Sequence, residues 1–377
     1  MDQIQLLELK VKELSSLLDA FKELNTNIEL NEVFNNILMQ TVKVLQAEAG
    51  TLWVADYELE EITASAAIGT TKETILNIKL KINEGIVGKV ISSGEPYFIE
   101  NVSEDPSWAK RVDETSGFIT KSMITVPLVA NQKVLGALQL LNKKGDVFFT
   151  DVDVNLALAL ANQSALALQN SQIYNELYTM FMSVITTLAK VLDARDPYTA
   201  GHSERVARYA ELTARRLGFQ SKECSDLYTA ALMHDIGKIG VSDDILRKPT
   251  RLTQEEYSLM KQHTVIGADI LSNLEPKSTM KNAVEIARYH HERIDGSGYP
   301  DGLEGDEIPI YARIVGVVDA FDAMTTIRSY SNGKSFEEAA EELIRCKHTL
   351  FDDHVVDAFT SLLKEANYKT ENLGKVR

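Results

Sequence analysis

Only two cysteines occur, Cys224 and Cys346. That excludes a disulfide framework and a cysteine-rich zinc site, and it fits a reducing compartment. Basic residues are also scarce: 39 Lys and Arg against 55 Asp and Glu leave a formal net charge of −16. Such a surface repels nucleic-acid backbones and anionic lipid, so neither nucleic acid nor a membrane is expected as a partner. A small anionic ligand can still bind where metals or a local basic cluster receive its phosphates. No run reaches the roughly 20 apolar residues that span a bilayer. The opening Met1-Asp2-Gln3-Ile4-Gln5 lacks the basic region and apolar stretch of a secretory leader. The expected location is the cytoplasm. Histidine is missing from the first 200 residues, since all seven lie later, at His202, His234, His263, His290, His291, His348 and His354. The N-terminal half therefore has neither the histidine nor the cysteine that ligates haem or an iron–sulfur cluster, and no thiol to tether a chromophore.

What is present reads as globular: 44% apolar and 25% charged residues over 377 positions, enough for two domains. Over residues 1–25, Ile4, Leu7, Val11, Leu14, Leu18 and Phe21 alternate spacings of three and four. That pattern predicts a coiled-coil helix that dimerises. Residues 26–150 read as a mixed α/β domain with strands at 51–55, 123–129 and 134–141 and a helix around 85–94. Ala130-Asn131-Gln132-Lys133 reads as the hairpin turn between the last two strands. Between Gly145 and Pro197 there is neither glycine nor proline. Thr150 can cap a helix running from about 151 to 193, ~60 Å long at 1.5 Å per residue. Leu166, Ile173, Leu177, Met180, Val184 and Val191 occupy heptad-compatible positions along it, with Asn170 and Thr187 as polar breaks. The helix is expected to act as a connector that transmits signals rather than as a flexible linker. From about 175 to 377 the pattern is mostly helical.

Metal-ligating side chains are scattered along this last part: His202, the pair His234-Asp235, His263, the pair His290-His291, and Asp319. Nitrogen and carboxylate donors without sulfur suit Fe, Mn or Zn. Two divalent cations about 3.5–4 Å apart repel each other, so a dinuclear site needs a carboxylate between them. Asp235 is the natural bridge, because His234 beside it can fix it over one metal. Neutral imidazoles complete the shells and leave the site net positive, attractive to a phosphodiester. Lys238 lies four residues after His234 and three after Asp235, so it shares their face on a helical turn.

Two resemblances follow from these residues. Gly85-Ile86-Val87-Gly88 with Gly94-Glu95-Pro96, then Ser122-Met123-Ile124-Thr125-Val126-Pro127-Leu128 and Val134-Leu135-Gly136-Ala137-Leu138, resemble the GAF family over roughly 26–170. The resemblance implies an antiparallel sheet flanked by helices, acting as a sensor, with a small ligand bound in many members. Cyclic-nucleotide binders of that family carry Asn-Lys…Phe-x-x-x-Asp-Glu. Here Asn142-Lys143, Phe149 and Asp153 match, but Val154 replaces the glutamate, and Lys143 with Asp153 reads as a structural ion pair.

In the C-terminal part, Asp196-Pro197-Tyr198-Thr199-Ala200-Gly201-His202-Ser203-Glu204-Arg205-Val206, His234-Asp235-Ile236-Gly237-Lys238-Ile239-Gly240, His290-His291-Glu292-Arg293-Ile294-Asp295-Gly296-Ser297-Gly298-Tyr299-Pro300, and Asp319-Ala320-Phe321-Asp322-Ala323-Met324-Thr325 resemble the HD-GYP family in order. The resemblance implies an all-α domain that hydrolyses cyclic di-GMP with divalent metals, Fe or Mn; its departure at Tyr198 leads to the expectation of two metals per chain and of linear pGpG as the main product, with slow conversion to GMP. One metal would be held by His202, His234, Asp235 and Asp319, the other by Asp235, His263, His290 and His291. Asp235 and Lys238 would be catalytic, Lys238 stabilising charge on the phosphate. The segment Gly296, Gly298, Tyr299 and Pro300 would shape the substrate site, with Tyr299 as a base or phosphate contact. Arg328 would meet a substrate phosphate or guanine. The family's Arg-Pro-Tyr-Arg is here Arg328-Ser329-Tyr330-Ser331, so the second basic contact is lost or passes to Lys334. Water or Asp322 would protonate the leaving group.

Some members place a glutamate four residues before the first metal histidine, helping to hold a third metal; here that position is Tyr198. His348 and His354 match no motif and read as ordinary helix residues. The expected class is thus α+β, with a coiled-coil helix over 1–25, a GAF sensor over 26–150, a connecting helix over 151–193 and an HD-GYP domain over 175–377. The expected assembly is a homodimer. The alternatives are hydrolysis of another cyclic dinucleotide, such as 3',3'-cGAMP, or a receptor without catalysis.

Overall fold

A computed structural model describes residues 30–102, 117–145, 147–195, 201–326 and 333–368. They form two compact units, one reaching to Leu177 and the other starting at Tyr178. The N-terminal coiled-coil helix expected over 1–25 lies outside the described residues.

In the first unit, helix α1 (Leu30–Val44) leads into strands β1 (Ala47–Asp56) and β2 (Glu61–Ile68), then a short helix α2 (Lys72–Leu76) and β3 (Lys79–Lys81). Helix α3 (Gly85–Ser93), strands β4 (Tyr97–Ile99), β5 (Met123–Ala130) and β6 (Lys133–Lys143), and the long helix α4 (Asp151–Arg195) follow. The six strands make one sheet in the order β3-β2-β1-β6-β5-β4, every neighbouring pair antiparallel. Successive side chains of a strand point to opposite faces, so Leu52 and Trp53 of β1 serve different cores. Leu52 packs with Phe34 and Leu38 of α1 and with Ala157, Ala161 and Leu168 of α4. Trp53 packs with Ile62, Ile75 of α2, and Val87 and Val90 of α3. The β5–β6 hairpin pairs Ala130 with Lys133. Asn131 and Gln132 between them have φ of 49° and 63°, the positive values a two-residue turn needs to match strand twist.

The junction into α4 is polar and built. The Lys143 ammonium lies 2.7 Å from Asp153 Oδ2, which also accepts the Thr150 N–H at 2.8 Å and its hydroxyl at 2.9 Å. Burial alone would raise the Asp153 pKa, but Lys143 and Thr150 outweigh it and hold the carboxyl below its usual range. Asn142, at φ 51°, accepts the Lys121 N–H and donates to Glu48 and the Ile119 carbonyl. The pair therefore fastens the sheet to the helix. In the same unit a cavity of about 20 Å³ lies beside Trp53, Gln139 and Lys72, about the room one water needs.

Helix α4 is continuous for 45 residues. Leu160, Ala165 and Leu168 are buried in the first unit's core, and Ile185, Ala189 and Leu192 are buried further along. The heptad residues are exposed: Leu166, Ile173, Leu177, Met180, Val184 and Val191 are between 45% and 63% accessible. By length and composition the helix is apolar enough to cross a membrane, with a mean hydropathy of 1.3 over an 18-residue window that is 22% buried. Tyrosine, threonine and serine break up the apolar run while leaving this average high, which qualifies the reading that no segment suffices to span a bilayer.

The second unit is helical: α5 (His202–Arg216), α6 (Ser221–Ala231), a 3-10 turn (Ile236–Gly240), α7 (Asp243–Leu246), α8 (Gln254–Lys261), α9 (His263–Ser272) and α10 (Lys277–Tyr289). A second 3-10 turn (Gly305–Glu307), α11 (Ile310–Thr325), α12 (Phe336–Arg345) and α13 (Asp353–Glu365) complete it. Its core joins Val206 of α5, Leu227 of α6, Ile286 of α10, Val318 and Phe321 of α11 and Phe359 of α13. Phe321 meets Phe336 and Phe359 edge-on at 5.1 and 5.0 Å between centroids. Burying one such ring contributes about 1.5–3 kcal/mol, and this cluster fixes α11, which carries Asp319.

Candidate metal centre

Each candidate ligand sits at an element end or on a helix facing one point. His202 opens α5, His263 opens α9, His290 and His291 follow α10, and Asp319 lies within α11. His234 and Asp235 sit between α6 and the first 3-10 turn. Gly237 lets that turn lie against α9, since a side-chain carbon there would fall 1.8 Å from the His263 carbonyl oxygen. The close approach puts Asp235 among the histidines. Its Oδ2 is 3.7 Å from His202 Nε2 and 3.5 Å from His234 Nε2. Its Oδ1 is 3.4 Å from His263 Nε2 and 3.9 Å from His290 Nε2. His202 Nε2 is also 3.3 Å from Asp319 Oδ1. Two outer groups, His202–His234–Asp319 and His263–His290–His291, are joined by a third, His234–Asp235–His290, each with ligand atoms within 4.8 Å of one another.

The rings are oriented from behind. His234 Nδ1 donates to the Ala231 carbonyl at 2.7 Å, His263 Nδ1 to Met260 at 2.7 Å, and His290 Nδ1 to Ile286 at 2.9 Å. A carbonyl only accepts, so each Nδ1 carries the proton and each Nε2 presents a lone pair to the centre. The Nε2 atoms of His234, His263 and His290 are buried and make no hydrogen bond. Leaving a buried polar atom unpaired costs about 1–3 kcal/mol, and three such atoms around one carboxylate fit the need of divalent cations. Burial, reinforced by His234 and His263, pushes the His290 pKa down to about 3. Burial and His290 likewise hold His291 well below its usual value, and burial lowers His263. These imidazoles are neutral at physiological pH, the form that ligates metal. Burial opposes ionisation of Asp235, but with the Lys238 ammonium beside it the pKa is held well below the carboxylate range.

His202 is held differently. Its Nδ1 donates to Asp322 Oδ2 at 2.8 Å, and Arg205 Nε donates to the other Asp322 oxygen at 2.6 Å. Asp322 is buried; although burial favours its protonated form, His202 and Arg205 lower its pKa. It is placed to orient His202 from behind, and its lowered pKa favours the ionised form.

A cleft of about 840 Å³ opens beside the cluster, lined by His202, Asp235, His263, His291 and Asp319 at its metal end. Lys238 lies there too, its Nζ 2.5 Å from Asp235 Oδ2. Arg251, Lys261 and Arg293 also line the cleft; sequence reasoning passed over all three, although Arg293 stands inside a quoted motif and Lys261 two residues before His263. They supply a local positive field on an acidic protein.

Gly298 and Tyr299 line the cleft, whereas Gly296 and Pro300 do not. Gly298 is required for packing, because a side-chain carbon would lie 2.4 Å from backbone atoms of Glu292 and Arg293. Behind this loop the buried Glu292 carboxylate accepts the N–H groups of Asp301, Gly302 and Leu303. Tyr299 stacks on His291 at 4.8 Å. Burial, with Tyr257 and Asp235 adding to it, raises its pKa far above the usual phenol value. That favours the protonated phenol, and the ring offers a stacking surface beside His291. Arg328 and Tyr198 lie outside the described residues. Lys334 points to Glu342, 3.6 Å away, and is not among the lining residues. His348 lies in the turn between α12 and α13 at φ 62°, not in a helix as expected, and pairs with Asp353, whereas His354 is exposed on α13.

The geometry defines a divalent-metal centre in a helical domain that follows a mixed α/β domain. A family model for the GAF domain matches residues 29–168, and one for the HD domain matches residues 186–355. The chain joins a GAF domain to an HD domain, and an HD domain of this composition binds divalent metal. Among curated proteins it is similar to a cyclic di-GMP phosphodiesterase of Thermotoga maritima, 43% identical over 194 residues, covering 52% of each chain. It is also similar to 3'3'-cGAMP-specific phosphodiesterase 3 of Vibrio cholerae serotype O1, 40% identical over 184 residues, covering 49% of this chain and 39% of that one. A cyclic di-GMP phosphodiesterase response regulator of Xanthomonas campestris pv. campestris is 39% identical over 198 residues, covering 52% of each. The chain spans about half the length of these relatives or less.

Proposed function

We propose that this chain hydrolyses cyclic di-GMP to linear pGpG at a site for two divalent cations, Fe or Mn, under control of its GAF domain. The observation that carries the reading is the division of Asp235, one oxygen facing His202 and His234 and the other facing His263 and His290. When bound, the cations would lower the pKa of water and take up charge developing on phosphorus. His202, His234, Asp235 and Asp319 would hold one, and Asp235, His263, His290 and His291 the other. Lys238 steadies negative charge on the phosphate. Arg293 and Lys261 draw the remaining phosphate into the cleft, and Tyr299 donates from the loop that Glu292 anchors. The test is release of pGpG by protein purified anaerobically and reconstituted with Mn or Fe; a metal-loaded protein that binds cyclic di-GMP without cleaving it would make the chain a receptor.

A second substrate reading is specifically favoured by the relative named as a 3'3'-cGAMP-specific phosphodiesterase. Both dinucleotides present the same phosphodiester, so the metals and Lys238 do not distinguish them. The ratio of kcat/KM for the two substrates decides between them.

Metal number and product are linked. A neutral phenol at Tyr198, with a pKa near 10, is a poor ligand in place of a carboxylate. The nearby Asp193 is buried and accepts the Ser203 hydroxyl at 2.8 Å, a bond that holds it beside α5. Elemental analysis is expected to find close to two metals per chain, with pGpG as the main product and GMP forming slowly. A value near three metals would refute the count, and rapid complete conversion to GMP with two would refute the link.

The chain is further proposed to work in the cytoplasm as a homodimer, with the exposed heptad stripe of α4 as its seam. Apolar residues at alternating three- and four-residue spacing pair with a second helix of the same kind. One residue inserted near Asn175 turns everything downstream by about 100°, whereas seven nearly restore the phase. The single insertion is expected to change basal turnover several-fold and the seven-residue insertion to leave it near wild type. Equal turnover in wild type and both variants would rule out control through α4.

A further inference from the structure

We infer that Arg195, in the last turn of α4, is a positioning residue for Lys238. The inference rests on the proposed part of Lys238 in phosphodiester hydrolysis. Arg195 NH1 donates to the carbonyls of Lys238 and Ile239, each at 3.0 Å, and NH2 donates to the Val241 carbonyl at 2.7 Å. Its Nε donates to Asp243 Oδ1 at 2.9 Å. One planar guanidinium thus grips the backbone from the middle of the 3-10 turn to the start of α7.

The chemistry explains why an arginine is needed. Carbonyls at the end of a helical turn keep lone pairs that the turn itself does not satisfy. Three of them fanned around one point match the fixed fork of five N–H donors that only arginine offers. The Lys238 carbonyl also accepts the Val241 N–H at 3.1 Å, so Arg195 closes a ring of bonds around the residue whose Nζ meets Asp235. Two residues earlier on α4, Asp193 accepts the hydroxyl of Ser203, the neighbour of His202. The last turn of α4 therefore holds both the backbone of Lys238 and the residue beside a proposed metal ligand. Catalysis is sensitive to such placement, since an error of ~1 Å at a charged group costs about 10²-fold in rate.

The test compares Arg195→Gln, Lys238→Met and the double variant in the full-length, Mn-loaded chain. Arg195→Gln is expected to lower kcat about 10- to 100-fold, with KM within about twofold and metal content unchanged. Arg195→Lys, which keeps the charge but not the fork, is expected to stay close to the Gln variant. In the Lys238→Met background, Arg195→Gln should change kcat by less than about twofold, because its effect passes through Lys238. Hydrogen exchange supplies a readout that does not depend on turnover: residues 236–241 should exchange at least about tenfold faster in Arg195→Gln than in the parent.

Unchanged kcat and exchange would overturn the inference, and so would an equal loss with and without Lys238. Absence of hydrolysis in the parent would instead defeat the hydrolase reading, leaving the exchange measurement to decide the clamp. Should Arg195→Gln not fold, Asp243→Asn loosens the same guanidinium from an exposed carboxylate. It is expected to lower kcat several-fold, and only where Lys238 is present; no loss there would equally overturn the inference.

Discussion

Asp235→Ala is expected to lower turnover at least about 10³-fold, equivalent to ~4 kcal/mol of barrier, while circular dichroism stays unchanged. Among the described residues, Asp235 is the carboxylate whose two oxygens face both sets of histidines. Without it, two cations at bridging distance would repel with nothing negative between them, so one or both should be lost. The fold survives because what holds the second unit together, the packing of Val206, Leu227, Ile286 and Phe321, lies in the apolar core rather than at the carboxylate. Asp235→Asn separates shape from charge, for the amide keeps the volume and loses the bridging anion. It is expected to resemble Ala in activity and metal content. Turnover above a few per cent of wild type in a folded Asp235→Ala protein would refute the bridging role.

The ligand set was legible because its members are chemically rare: five histidines and two aspartates at motif spacing stand out from a helical background. What orients them was not, since the partners of His234, His263 and His290 are the carbonyls of Ala231, Met260 and Ile286. A backbone carbonyl has no sequence signature. Asp322 and Glu292 were visible as letters, yet the work of each depends on neighbours over 100 residues away or on a loop's backbone. The same division holds for the fold. Strands β5 and β6 advertise themselves through β-branched and leucine-rich runs, and the uninterrupted stretch after Gly145 foretells α4. Strand β2, Glu-Ile-Thr-Ala-Ser-Ala-Ala-Ile, is alanine-rich and escapes a propensity argument, because its identity comes from pairing with β1 and β3. The three-residue strands β3 and β4 are too short to carry any period of their own.

Lys238→Met is expected to lower kcat about 10²- to 10³-fold, with both metals retained and KM raised only a few-fold. Methionine keeps a flexible apolar stem of similar length, so packing along the 3-10 turn survives and the charge alone is removed. Two parts for Lys238 compete. Its Nζ is 2.5 Å from Asp235 Oδ2, so it could serve only to neutralise that carboxylate before metal enters. In that case Lys238→Met would destabilise the metal-free protein and leave turnover of the loaded protein intact. If Lys238 instead meets the phosphate, cations on Asp235 free the ammonium to face the cleft, which it lines with Arg293 and Lys261. The loss should then fall on kcat, because charge on the phosphoryl oxygens grows toward the transition state and a ground-state diester offers less to hold. Thermal melting with and without Mn, alongside kcat and KM, separates the two. A loaded variant within about threefold of wild-type kcat would assign Lys238 to the empty site alone and leave the phosphate to the metals and Arg293.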